Sequence, residues 1–198
     1  MKRAELPELL VQDAAAWREW LTDNHASSPG VRLVLHKQGG EVTSLTYEEA
    51  VQEALCLGWI DGQAGSRDAE SYTVRMTPRG ARSMWSARNV TRVAKLEQEN
   101  RMQEPGRAAV RAAQADGRWE RAYQGPAAAV VPADLAEAIA ADPEAQAMFD
   151  VLTSTNRFAL IHRVNGVKRA ETRARKIAQF VEMLSRHETP HPQKRMPE

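Results

Sequence analysis

The densest chemistry in the chain lies between residues 58 and 89. Gly58-Trp59-Ile60-Asp61-Gly62, Tyr72-Thr73-Val74-Arg75, Thr77-Pro78-Arg79 and Ser83-Met84-Trp85-Ser86-Ala87-Arg88-Asn89 follow one another there. A guanidinium fork takes carboxylate or phosphate through two parallel hydrogen bonds. An indole offers a stacking face. Ser86 stands where it can cap a helix, and a helix N-terminus attracts anions. These residue types predict a cleft for a small anionic or aromatic ligand, built from Trp59, Asp61, Arg75, Arg79, Trp85, Ser86 and Asn89. Arg75 and Arg79 would clamp an anion, and the two tryptophans would form the walls. Asp61 would orient an arginine or accept from a ligand N–H. The competing structural reading is that Asp61 pairs with Arg75 or Arg79 to lock a sheet, with Trp59 and Trp85 in the core.

Other chemistries find less support. Cys56 is the single cysteine and sits among apolar residues of a helix, where a buried thiol is inert. Ser83 and Ser86 have no neighbouring His and no Gly-x-Ser-x-Gly elbow, so an enzyme would need a base brought from far along the chain. The five histidines show no His-x-x-x-His spacing except His187 and His191, which Pro190 separates, so no metal site is expected. No Gly-x-Gly-x-x-Gly or Walker pattern occurs, and no cofactor is expected. Arg88, Arg92 and Lys95, and again Arg169, Arg173 and Lys176, follow i, i+4, i+7 spacing and form two basic helix faces. Such faces suit a protein partner or nucleic-acid phosphates, although no stacking aromatics are interleaved with them.

The elements that must position these residues are legible in the pattern. Asp13 begins a helix with Trp17, Trp20 and Leu21 on one stripe, stopped by Ser27-Ser28-Pro29-Gly30. Val31 to His36 reads as a strand. Thr46-Tyr47-Glu48-Glu49 is a capping box opening a helix that ends at Gly58. Trp59-Ile60-Asp61 forms a short extended segment closed by Gly62, and Ser71 to Met76 forms another strand before a turn at Thr77-Pro78-Arg79-Gly80. Helices are expected from about Ser86 to Glu99 and, after a break at Pro105-Gly106, from Arg107 to Ala115. Gln124-Gly125-Pro126 and the following alanines read as a linker. Compact helices follow, with Asp142-Pro143 as a start and Asn165-Gly166 as a stop. The last helix, from near Glu171 to Arg186, carries Ala174, Ile177, Ala178, Val181 and Leu184 on its apolar face. Three prolines in the residues after Thr189 predict a frayed tail.

The fold class is therefore α+β. A small antiparallel sheet with helices occupies 1–125, a compact C-terminal helical region occupies 126–188, and a tail occupies 189–198. A 42% hydrophobic, 27% charged composition is globular. Net charge is +1, yet charge is segregated: Glu41 to Asp61 holds five acidic and no basic residues, and Arg157 to Lys176 holds seven basic and one acidic. Pairing of these blocks across the fold is the simplest account. With one cysteine, no signal-peptide core and no membrane-length apolar run, the expectation is a cytoplasmic protein without a membrane partner.

Leu45 to Ala50, Ala54 to Gly62, Thr77-Pro78-Arg79, Ser83 to Asn89, Arg101 to Gly106 and Gly117-Arg118-Trp119 resemble the YdeI/OmpD-associated family. The stretch from Val131-Pro132-Ala133-Asp134-Leu135 to Ile177 resembles that family's small helical domain, so the likeness runs from about Ala14 to Glu188. Arg79-Gly80-Ala81-Arg82 departs from it, since relatives often carry more basic residues there. The resemblance implies an α+β region followed by helices, and a name linked to bacteriocin protection and porin association. It transfers no reaction and no catalytic residue. The resulting expectation is a stress- or defence-linked ligand-binding protein. The alternatives are an interaction module using the basic faces and an enzyme of unassigned reaction.

Overall fold

The computed structural model describes residues 6–125, 129–167 and 169–197. The chain divides into two compact units, Met1–Ala122 and Tyr123–Glu198. It is α+β, as expected.

The first unit holds β1 (Glu8–Leu9), α1 (Ala14–Asn24), β2 (Val31–His36), α2 (Tyr47–Cys56), β3 (Trp59–Ser66), β4 (Ser71–Pro78), α3 (Ala87–Gln98) and α4 (Glu104–Ala115). Local signals start the helices. Asp13 Oδ1 accepts from the Ala16 amide at 2.9 Å. Both arms of the Thr46/Glu49 capping box are formed, and the Ser86 hydroxyl accepts from the Asn89 amide at 3.2 Å. Each such cap satisfies amides that the first helical turn leaves without partners.

The four strands are ordered β1-β2-β4-β3. β2 and β3 both pair antiparallel with β4, whereas β1 pairs parallel with β2, so the expected antiparallel sheet is in fact mixed. β3 runs through Gly62 to Ser66 with an irregularity between Asp61 and Ala64, where the sequence suggested a stop at Gly62. Gly62 did not end the strand because β4 is long enough to pair beyond it. β4 likewise keeps Thr77 and Pro78, which lie beyond the end of its pairing with β2 at Met76, so the proline's missing N–H breaks no bond to that strand.

Strand period two puts Val31, Leu33 and Leu35 with Val74 and Met76 on one face. They join Trp17, Leu21, Leu55, Trp59, Trp85 and Leu96 in one core. The other face carries Arg32, Val34 and His36 beside Ser71, Thr73 and Arg75.

The helix after Met102 begins at Glu104, so Pro105 and Gly106 lie inside its first turn rather than before it. Proline is accepted there because its missing N–H would be unpaired anyway. A Cβ at Gly106 would lie 2.4 Å from the Cys56 carbonyl oxygen and 2.6 Å from that of Leu55. Glycine is thus what lets α4 touch the end of α2.

The second unit is helical: α5 (Ala133–Ala140), α6 (Pro143–Asp150), α7 (Ser154–Asn165) and α8 (Ala170–Ser185). Its core is formed by Leu135, Ile139, Met148, Leu160, Val164, Ile177, Phe180 and Leu184. Asp142 caps α6 as expected, through Ala145 N at 3.0 Å. Gly166 ends α7 as expected, with φ −72°. On α8, Ala174 and Ala178 are exposed and Phe180 is buried, so the apolar stripe is rotated from the expected one toward Phe180. Of the expected linker, residues 126–128 lie outside the described residues.

The tail is held in place rather than frayed. Asn156 is fully buried; its Nδ2 donates to the His191 carbonyl at 2.9 Å and its Oδ1 accepts from the His191 amide at 2.8 Å. Gln193 Oε1 accepts from the Thr153 amide at 3.2 Å. The prolines that suggested fraying leave these donors and acceptors free to dock.

Candidate ligand site

The seven residues expected to line one cleft are distributed over five places. Trp59 is a core residue. It is 1% exposed, its Nε1 donates to the His25 carbonyl at 3.2 Å, and it meets Trp17 and Trp20 edge-on at 6.3 and 5.8 Å. The pairing of β3 with β4 turns it inward with Met76, so it forms no wall.

Asp61 lies on the same face, at the sheet's margin. It accepts from the Tyr47 hydroxyl at 2.6 Å. Burial, and then the bond to Asp61, raise the Tyr47 phenol above its ordinary value. Asp61 therefore ties β3 to α2 and pairs with neither Arg75 nor Arg79.

Arg79 and Trp85 do meet. The guanidinium carbon lies 3.6 Å from the centre of the Trp85 ring, and Nη1 donates to the Met84 carbonyl at 3.2 Å. Trp85 is 1% exposed and stacks edge-on with Trp119 at 4.8 Å. Arg118 Nη1 donates to the Ser83 carbonyl at 2.9 Å and so holds the same loop from the other end. The pair is a covered cation–π contact, not an open clamp and wall.

Ser86 and Asn89 act within α3. Asn89 Oδ1 accepts from Arg92 Nη1 at 2.7 Å, which aims Arg92 at Glu48 on α2. Arg92 Nε donates to Glu48 Oε1 at 2.7 Å, and Arg88 adds a bond at 3.3 Å. The Arg92 bond holds the Glu48 carboxyl down at about 2. A groove of about 310 Å³ runs here between α2 and α3, past Gln52, Arg88, Thr91 and Lys95. Its cations already have acidic partners, Lys95 with Glu99 at 3.6 Å.

This pairing extends through the charge blocks. Glu53, 7% exposed, accepts from both Arg18 and Arg101, and Asp134 accepts from Arg173 at 2.6 Å. Both basic helix faces thus spend part of their charge on the acidic blocks. Cys56, the last residue of α2, is fully buried, and burial pushes its thiol up.

Arg75 stands apart. It projects from the face turned away from the core and is directly opposite Arg32 in the β2–β4 ladder. Among the described residues it makes no hydrogen bond or ion pair. Arg32 donates to Glu8 at 3.1 Å, and Arg67 shares that carboxylate at 3.1 Å. Like charges directly opposite across a ladder repel. Neither Arg32 nor its facing of Arg75 was among the sequence candidates. Strand alternation placed both arginines, but nothing local fixes which residue faces which.

Among the described residues, the fold is thus a four-stranded mixed sheet with helices, followed by a four-helix unit, with Arg75 and Arg32 facing one another on the sheet. By sequence, the chain belongs to the family described as Domain of unknown function (DUF8412), whose model matches residues 9–109, just over half of its length. Residues 128–187 match the family described as Bacteriocin-protection, YdeI or OmpD-Associated. The resemblance to the YdeI/OmpD-associated family holds for the helical unit, while most of the N-terminal motifs fall within the other match. Comparison with curated proteins and with solved structures gives no match.

Proposed function

We propose that this protein is a non-enzymatic binder of a small anionic ligand, captured on the outward face of the first unit's sheet by Arg75 with Arg32 beside it. One observation carries this reading: Arg75 faces Arg32 across the ladder with no acidic partner of its own among the described residues. An anion between the two guanidiniums would relieve their repulsion and accept from both. The α2–α3 groove is the weaker site because its arginines are already engaged by Glu48.

The wording of the matched family, bacteriocin protection, supports a defence or stress setting for such a binder. A lone buried thiol is in keeping with a reducing compartment, which supports a cytoplasmic setting.

The test is thermal unfolding with acetate, glutarate and inorganic phosphate, on wild type and Arg75→Gln. A ligand at a hundredfold excess over its Kd stabilises by about 2.7 kcal/mol. The shift is expected in wild type, weakened by salt, and absent in the variant. Without ligand, Arg75→Gln should be neutral or up to about 0.5 kcal/mol more stable, because it removes a like-charge pair. Equal shifts in both proteins would refute the assignment.

A further inference from the structure

We propose that the ligand of this face is an extended peptide bearing an acidic side chain, which adds as a fifth strand to the outer edge of β3 while its carboxylate meets Arg75. This inference rests on the anion reading above and names the ligand's chemical class.

β3 is an edge strand, paired on one side only, with β4. Its stretch Gly62 to Ser66 is exposed and contains no charged residue and no proline. Among the described residues its backbone makes no main-chain hydrogen bond beyond those to β4. Proteins usually shield such an edge with charge, proline or a covering segment, because free N–H and C=O groups form a template for another strand. Among the described residues the shielding here is limited to the irregularity between Asp61 and Ala64. Strand addition supplies affinity through main-chain bonds and selectivity through alternate side chains.

The second observation links edge and charge. Arg75 lies on β4 beside the bare residue Gly62, and both its Cβ and its Cδ would be 3.5 Å from a Cβ built on that glycine. The arginine stem therefore lies along β3 at a position where no side chain intervenes. A strand added outside β3 would bring a side chain on the same face within a long residue's reach of the guanidinium, since neighbouring strands are about 4.8 Å apart. An acidic residue there would find a cation without another acidic partner among the described residues.

The same charge argues against a second copy of this chain as occupant. Two β3 edges paired antiparallel about a two-fold axis would bring Arg75 and its symmetry mate toward one interface, like charge against like charge.

The experiment uses the full chain and a fluorescein-labelled, C-terminally amidated hexapeptide, Thr-Val-Glu-Val-Thr-Val, read by anisotropy. Glutarate is measured alongside it by calorimetry. The expected result is peptide binding tighter than glutarate, weakened about tenfold or more by replacing the peptide's Glu with Gln or by Arg75→Gln. N-methylation of alternate peptide amides should abolish binding in one set, the set facing β3, and spare it in the other. The peptide variants need no change in the protein, so misfolding cannot mimic the result. If glutarate binding depends on Arg75 but the peptide binds no tighter, or both N-methylated sets bind equally, strand addition is overturned and the anion reading stands. Absence of binding by both probes overturns both. A doubled mass in light scattering of the free protein, abolished by Ala64→Pro, would give the edge to a second copy and overturn the peptide.

Discussion

The Arg79 guanidinium covers the face of Trp85 at 3.6 Å, and the indole beneath it is 1% exposed. Two residues that looked like separate halves of a ligand cleft thus satisfy one another. The consequence is a stability role for Arg79. Arg79→Ala should cost about 1–2 kcal/mol through the lost cation–π contact and stem packing. Denaturant unfolding measures that loss, and a red-shifted tryptophan emission would report the uncovered ring. The response to glutarate should be unchanged, in contrast to Arg75→Gln.

Glu48 gives the fold a pH dependence. Its bond from Arg92 holds the carboxyl at about 2, below the ordinary 4.5. A carboxyl with a depressed folded-state value contributes stability that is fully present above the unfolded value and is lost as pH falls through the folded one. The window therefore runs from about 4.5 down to about 2. Glu48 is 43% exposed, so screening keeps the contribution to about 0.5–1 kcal/mol at neutral pH. Urea titrations of wild type and Glu48→Gln should differ by that amount at pH 7 and converge as the pH approaches 2.

Gly106→Ala sets two effects against each other. Alanine favours a helix over glycine by roughly 1 kcal/mol. The added methyl would press on the carbonyls of Cys56 and Leu55 at 2.4 and 2.6 Å, and backbone atoms yield less readily than side chains. The clash should win, for a net loss of about 1–3 kcal/mol in the first unit. The same variant should expose Cys56, which resists thiol reagents in the folded wild type because it is fully buried. Ellman titration under native conditions checks both statements.

Asn156 fastens the C-terminal tail with both halves of its amide. Asn156→Ala, or removal of residues 189–198, leaves buried donors and acceptors without partners, at a cost of about 1–3 kcal/mol. Hydrogen exchange should be slow at the His191 amide in wild type and fast in Asn156→Ala. Slow exchange in the variant would show that the tail is held by something else.

The chain's local syntax was readable. Asp13, Thr46 with Glu49, Ser86 and Asp142 each announced a helix start, and each makes its cap within three residues. The Trp17-Leu21 stripe and the Val31–His36 strand followed from periodicity, and both contribute to the core. The candidate site was less legible. Trp59 and Asp61 are turned toward the core and α2, while Arg75, on the neighbouring strand, is turned the other way. The pairing of strands distant in sequence made that separation, and a shift of one residue would have exchanged the faces.

By itself, then, the sequence determined the α+β class, most helix starts, the single buried thiol and the segregation of charge. These depend on neighbours within a few residues or on composition alone. Only the tertiary structure decided that Arg75 faces Arg32, that Arg79 lies over Trp85, that α4 rests on α2 through Gly106, and that the tail docks on Asn156. Arg75 and Arg32 are 43 positions apart in the chain, as the β2–β4 register pairs them. Contacts at that separation are selected by burial of the shared core, which a linear pattern of residues does not specify.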